Sequence, residues 1–460
     1  MRRCVFFGLQ NYQKSRLIMT RQPFLFLLAF MLLCVSPLHA GALGLSEACQ
    51  RALEYDARYR AAEAEHAVQK EETAKARSRF RPSLRMNAAS GRSTTESTSL
   101  VNDLSKEQSY NTRNYSIQLR QSVFNLSDFE SYGQAKAVVA KSDAVLESEL
   151  SSLLVRTLEA YINVLYARDN LEFSRAHVQT AKEQLAQAKR RLAAGFGTIT
   201  EVSEAQAGYD MALAEGLEFN NTLEVNRRAL ESMTGVYPDS LQEFVPEKMV
   251  LAVPAPHDVG QWIRLAHENN PLREAAAQDV SYFRKQIDKS RAARYPVVEL
   301  VASKTFSESD NNYSIGTRYD TYAISMQMSI PLYSGGFVSS SVRQASGQLR
   351  GAYEQLSLRE RNLALDVRKY YTGIISSIAQ IRAYEQAVKA NEIALTGTRK
   401  GFGAGFRSNV DVLSALKNLY DSKRNLSKSR YLFVLNVIRL KEAAGVLTTE
   451  DVAAIAGWTR

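Results

Sequence analysis

The stretch Arg190-Arg-Leu-Ala-Ala-Gly-Phe-Gly-Thr-Ile-Thr-Glu-Val202 returns downstream as Lys400-Gly-Phe-Gly-Ala-Gly-Phe-Arg-Ser-Asn-Val-Asp-Val412. Gly195 maps onto Gly405, Glu201 onto Asp411 and Gly235 onto Gly445, at an offset of about 210 residues. Farther upstream, Arg79-Phe-Arg-Pro82 maps near Arg294-Tyr-Pro296, and Tyr115-Ser-Ile-Gln-Leu near Tyr322-Ala-Ile-Ser-Met. A repeat this long holds several secondary elements, so it decides the fold before any motif does. Each copy reads helix, two strands, long helix, helix. Residues 41–245 form the first copy and 258–447 the second. Residues 246–257 are a linker containing Pro246, Pro254 and Pro256, and 448–460 are a short tail.

The helices around the repeated stretch are long. Between Leu126 and Leu192 there is no Pro and one Gly, Gly133. That predicts roughly 100 Å of helix. Leu146, Leu150, Leu154, Leu158, Tyr161 and Leu165 recur at three-and-four spacing, as do Leu356, Leu363, Val367, Tyr370, Ile374, Ile378 and Ile381. So narrow a stripe is a coiled-coil seam and not the wide face of a globular helix. Helices return over Glu201–Thr234 and Val410–Ala444, giving two antiparallel hairpins. A shorter helix over Ser46–Arg79, capped by Ser46 and stopped by Pro82, opens the first copy. Its counterpart starts near Asp258 and stops at Pro296.

The strands alternate. Tyr115, Ile117, Leu119 and Val123 share a face that Gln121 interrupts, and Ser116, Gln118, Arg120 and Ser122 share the other. Tyr322, Ile324, Met326, Met328 and Ile330 alternate with Ala323, Ser325, Gln327 and Ser329. This pattern fits a membrane β-strand, apolar to lipid and polar to a lumen; a soluble sheet with one wet face has it too. Partner strands are expected near Ser83–Ser93 and Val297–Phe306, with polar loops at Gly91–Arg113 and Ser307–Asp320. Four strands cannot close a barrel, and open edges do not survive in lipid. Membranous strands therefore require oligomerisation, and three chains supply twelve strands, within the known range of barrel sizes.

Residues 1–40 read as a signal peptide. Phe24–Val35 is an apolar run behind Arg16 and Arg21, too short to span a bilayer. Leu38-His-Ala40 is the cleavage signal, with small Ala40 suiting the cut and Leu38 not, and both Met1 and Met19 are readable starts. Cys34 follows Leu33, which does not suit lipid attachment. Removing Arg2, Arg3, Lys14, Arg16 and Arg21, with no acid among them, takes the net charge from +10 to +5. That is too mild to call for nucleic acid. Only Cys49 then remains, so there is no disulfide framework and no Cys-based metal site. His39, His66, His177, His257 and His267 are scattered without metal-ligand spacing. Gly401-Phe-Gly-Ala-Gly405 follows a helix and so fails the context test for a dinucleotide loop. No nucleophile–base spacing stands out. The expectation is no enzyme, no metal and no cofactor.

The order of elements, the repeat, and the loops Ala194-Gly-Phe-Gly-Thr-Ile-Thr-Glu-Val202 and Ala404-Gly-Phe-Arg-Ser-Asn-Val-Asp-Val412 resemble the TolC family of outer-membrane efflux and export channels. The resemblance covers nearly the whole mature chain. It implies a mainly α fold with a transmembrane β part. Three chains would form a twelve-stranded barrel in the outer membrane, continued by an α-helical tunnel in the periplasm. It implies a homotrimer in outer-membrane lipid, docked by a periplasmic adaptor and an inner-membrane ABC or RND-type transporter, exporting drugs or type I secreted proteins. By the same resemblance Gly195 and Gly405 are the tips where the adaptor docks. Arg407 would bond the pair Thr200–Glu201 to hold the tunnel shut, with Glu201 standing where the family has Asp. Phe402 stands where the family has Tyr, so that hydroxyl bond is lost. Asp411 matches one acid of the family's lumenal constriction, and Ser414 replaces the second. The other reading of the residues is a secreted or surface coiled-coil structural protein without a pore.

Overall fold

A broken helix opens each half of the chain. The computed structural model describes residues 42–101, 103–309 and 317–460; the signal peptide expected at 1–40 lies outside them. Helix α1 (Leu45–Tyr55) is followed by α2 (Ala57–Ser78), and α5 (Val259–Asn269) by α6 (Pro271–Ala292). The single helix expected over Ser46–Arg79 is thus two. At the first break, the Asp56 carboxylate accepts from the Tyr59 backbone N–H at 2.8 Å, capping α2, and pairs with Arg156 at 3.2 Å. At the second, Asn270 caps Arg273 N at 3.0 Å, and its amide donates to the Ala443 carbonyl at 3.1 Å. Pro271 occupies the first helical position, where its missing N–H costs nothing. Short polar side chains that satisfy orphan N–H groups outcompete helix continuation here.

Strands β1 (Ser83–Thr98), β2 (Ser105–Phe124), β3 (Val297–Ser309) and β4 (Thr317–Ser329) form one antiparallel sheet in the order β1-β2-β3-β4. The β2–β3 pairing joins the two repeats, and β1 and β4 are left as open edges. Most of the expected loop Gly91–Arg113 is strand. Cross-strand hydroxyl pairs, Thr94 with Ser109 at 2.7 Å and Thr95 with Tyr110 at 3.2 Å, extend the ladder to Thr98. The expected loop Ser307–Asp320 also shrinks, with β3 reaching Ser309 and β4 starting at Thr317; residues 310–316 lie outside the described set.

Register sorts the faces. Leu84, Leu119, Ala302 and Ile324 lie side by side, as do Met86, Ile117, Lys304 and Tyr322. The opposite face carries the row Asn87, Ser116, Thr305, Thr321. Leu84, Met86, Ile117, Ile324, Met326 and Met328 are all exposed. An exposed apolar sheet face of this extent calls for a non-aqueous neighbour. Lys304 interrupts it, but its Nζ donates to the Tyr322 hydroxyl at 2.6 Å and lies 3.9 Å from Asp320, towards the charged row Arg113–Glu308–Arg318. A long aliphatic stem lets the ammonium leave the apolar band.

The long helices run away from the sheet. Helices α3 (Leu126–Ala193) and α7 (Phe337–Gly403) contain 68 and 67 residues, and α4 (Ile199–Thr234) and α8 (Asn409–Ala443) return beside them. Near the sheet the packing order is α2-α3-α6-α7; beyond the middle it is α4-α3-α8-α7. The core sits where these two layers meet, around Leu158, Tyr161, Ile162, Ile374, Ile438 and Trp262. The terminal helix α9 (Thr449–Ala456) covers it, tied to α8 by Lys441–Asp451 at 2.5 Å. Farther out, each hairpin is held only by a thin seam: Leu185, Ala188 and Ala205 in one, and Leu395, Phe402, Val412, Leu416 and Leu419 in the other.

Candidate functional site at the hairpin tips

Both hairpins turn with the same backbone device. Gly195 has φ +76° and Gly405 φ +81°. Phe196 N–H donates to Arg191 O, and Phe406 N–H to Gly401 O, each at 2.9 Å. These are Schellman caps, whose left-handed residue glycine adopts without the Cβ penalty. The return helices start alike. Thr198 accepts from Glu201 N at 3.2 Å, and Ser408 from Asp411 N at 3.1 Å. Only the second box is reciprocal, because the Asp411 carboxylate also accepts from Ser408 N at 2.9 Å. The equivalence of Glu201 and Asp411 is therefore that both occupy the third position of a return helix.

The space in front of both tip glycines is open, with no atom within 4 Å of a hypothetical Cβ. Beside each sits a bare aromatic ring: Phe196 is 80% exposed and Phe406 86%. The sequence reading did not single out these phenylalanines as site residues, although Gly-Phe occurs at the same place in both copies.

The remaining candidates fall as follows. Phe402 is 5% exposed in the seam of the second hairpin. The guanidinium of Arg191, from the first hairpin, lies 5.0 Å from the centre of its ring and also donates to Phe196 O at 3.3 Å. The cation bridging the tips thus comes from the first hairpin and meets a ring of the second. Among the described residues, no hydrogen bond or ion pair joins Arg407 to Thr200 or Glu201 within one protomer. Arg407, Thr200 and Ser414 are exposed. One carboxylate oxygen of Glu201 is buried and unpaired, as are both amide atoms of Asn409. Hydrogen bonds from Ser408 hold the Asp411 carboxyl below the usual carboxylate range, with Arg407 adding to the effect.

Higher up, polar ties join the hairpins. Asp169 of α3 accepts from Ser427 at 2.5 Å and Tyr431 at 2.8 Å of α8, and Arg424 of α8 pairs with Glu215 of α4 at 3.1 Å. Among the described residues, no cluster of His, Cys, Asp and Glu could hold a metal ion, and no helix is long and apolar enough to cross a membrane.

An apolar-faced sheet with open edges, continued by paired helices ending in matched tips, defines a channel-forming class of protein. The sequence profile of the outer membrane efflux protein family matches residues 48–236 and 262–446, and the chain belongs to that family. It is 32% identical over 421 residues to the alkaline protease secretion protein AprF of Pseudomonas aeruginosa, covering 91% of this chain and 87% of that one. It is 31% identical to the proteases secretion protein PrtF of Dickeya chrysanthemi, over 91% of this chain and 92% of that one. To outer membrane protein TolC of Escherichia coli it is 31% identical, over 75% and 72%. The CmeC outer membrane channel of Campylobacter jejuni superposes with a TM-score of 0.76 at 14% identity, over 90% of each chain.

The protein is accordingly an outer-membrane channel of an export system. Each chain gives four strands to a twelve-stranded barrel, and the helices form the tunnel on the periplasmic side. It works as one part of a three-part assembly with an adaptor and an inner-membrane transporter. The reading as a pore-less coiled-coil structural protein finds no support in the family match.

Proposed function

We propose that the channel carries a secreted polypeptide, handed to it by an inner-membrane ABC-type transporter through a periplasmic adaptor. The observation that carries this is the breadth of similarity. The two protease-secretion relatives match across 91% of the chain, whereas TolC of Escherichia coli matches across 75%. The other face of the sheet suits the task, since its row Asn87, Ser116, Thr305 and Thr321 is polar and uncharged and offers a passing chain no apolar patch. Gly195 and Gly405, with the bare rings of Phe196 and Phe406, are the adaptor-docking tips. Thr200, Glu201, Phe402 and Arg407 form the gate, with Arg407 engaging its partners only in the closed trimer and Arg191 reinforcing it through Phe402. Three copies of Asp411 give a cation-attracting constriction, single because Ser414 is uncharged.

The test is deletion of the gene followed by analysis of the growth medium and of drug susceptibility. Loss of a specific protein from the medium, restored by the intact gene, is expected. An unchanged medium with increased drug susceptibility overturns the secretion reading in favour of drug efflux.

A further inference from the structure

The apolar face of the sheet changes character along the strands. Val298–Met328, Leu300–Met326 and Ala302–Ile324 are cross-strand pairs that make its apolar part. Tyr115, Phe306 and Tyr322 follow on the same face, with the rings of Tyr115 and Phe306 5.9 Å apart. Aromatic girdles of this kind mark the edge of a barrel's apolar band. Glu308 lies ten residues beyond Val298 on β3. At about 3.3 Å per residue and a tilt of about 40° that is a rise of about 25 Å, the full height of such a band. The helices leave from the other ends of the strands, after Phe124 and Ser329, so Glu308 stands at the end remote from the periplasm.

At that height the face is cationic. Glu308 is shared by Arg113 at 3.7 Å and Arg318 at 2.9 Å. Arg92 on β1 is opposite Asn111 and so is the diagonal neighbour of Arg113. All three arginines are exposed, and Arg92 has no ion pair among the described residues. Lys304, nearer the apolar part, is balanced by Asp320 at 3.9 Å. The patch Arg92, Arg113, Glu308 and Arg318 therefore sets three guanidiniums against one carboxylate, a net charge of +2. Farther out, Glu96 and Glu107 stand opposite each other on the same face and bound the cationic belt.

From this we infer that the belt binds the phosphate head groups of lipids in the outer leaflet. An ion-pair network that only held strands together would need a carboxylate for each guanidinium, and this one lacks two. Arginine has five N–H donors in a planar fork that matches phosphate, and one shared carboxylate leaves most of them free. Phe306 braces Arg318, whose guanidinium lies 5.5 Å from the ring centre. Basic side chains at head-group depth beside an apolar surface are the arrangement that holds anionic lipid. The patch faces away from the lumen, so exported cargo does not meet it, and the inference goes beyond the conduit reading. Rotational symmetry repeats the patch three times around the barrel.

The experiment measures lipid retention by the full chain, purified as the trimer and placed in phosphatidylcholine nanodiscs with lipid A carrying two phosphates. Arg92→Gln should retain about fivefold less lipid A than the unaltered chain, and Arg92→Gln with Arg318→Gln about twentyfold less. Arg85→Gln removes an exposed cation of the same strand from the opposite face and should change nothing. Lipid A stripped of both phosphates should be retained no better than by the double variant. Equal retention by all variants, or an equal loss with Arg85→Gln, overturns the site. Full retention of the stripped lipid also overturns it, since apolar contact alone would then suffice. Displacement of lipid A by an equimolar amount of inorganic phosphate gives the arginines to a free anion and overturns the lipid assignment. Arg92→Gln breaks no ion pair within the protomer, so it decides the matter even if the double variant does not fold.

Discussion

The two hairpins share a backbone and differ in their side chains. Both turn on a left-handed glycine and restart on a hydroxyl cap, so their tips are geometric copies. Yet the first hairpin places Arg191 and an unpaired carboxylate oxygen of Glu201 at its tip, while the second places buried Phe402 and a complete capping box. The return helix of the first hairpin is acidic, and its counterpart in the second is basic. Duplication preserved the shape that builds the wall. Divergence then gave the two tips different side-chain contacts.

The largest expected effects test the shared backbone. Gly195→Val and Gly405→Val should each cost about 1–3 kcal/mol, because a β-branched residue is forced into the left-handed region. Melting of the extracted protein should fall equally for both, and unequal losses would break the claim that the tips are copies.

A smaller effect tests the shared core. Glu442 on α8 sits among Glu159, Arg439 and Asp366, and burial pushes its carboxyl up to about 7, with Glu159 adding. The folded value exceeds the unfolded one, so stability from this group is present below about pH 4.5 and lost as pH rises through 7. Glu442→Gln should therefore stabilise the protein at pH 8 by about 2 kcal/mol, and by much less at pH 5. Thermal melts at both pH values check this, and a pH-independent effect would count against it.

Next come the caps. Ser408→Ala should cost about 1 kcal/mol and Thr198→Ala less, since only the second box is reciprocal. Proteolysis rates at each tip measure the difference. The smallest energy belongs to the tip contact. Arg191→Ala removes a cation–π interaction worth about 0.5–1 kcal/mol and should raise single-channel conductance modestly. Arg407→Ala should raise it further if Arg407 closes the trimeric gate; unchanged conductance in both would remove the gate from this end of the tunnel.

Much of the architecture was legible because its signals are local. The glycine turns, the hydroxyl caps and the leucine stripes each involve residues a few positions apart, and the β2 and β4 alternation follows the pleat. The misses came from contacts between separate segments. The break at Asp56 was hidden because aspartate inside an Ala/Glu/Arg-rich run looks like one more helical residue until Arg156 pairs with it. The hairpin above Gly91 reads as loop in composition, and only cross-strand hydroxyl pairing makes it strand. At the tips, Arg407, Thr200 and Glu201 were placed by resemblance, whereas the contact formed within the protomer runs from Arg191 to Phe402. No sequence period connects those two residues, since one lies in each hairpin.

The sequence alone determined the repeat, the two hairpins, the alternating strands and the absence of a long apolar helix, because each follows from periodicity along a continuous segment. Only the tertiary structure decided which helices are neighbours, which acids are consumed inside the protomer and which cation meets which ring. Those outcomes depend on where separate segments come to lie, and packing across the α3–α8 interface is what places α4 and α7 at opposite ends of the tip-side layer.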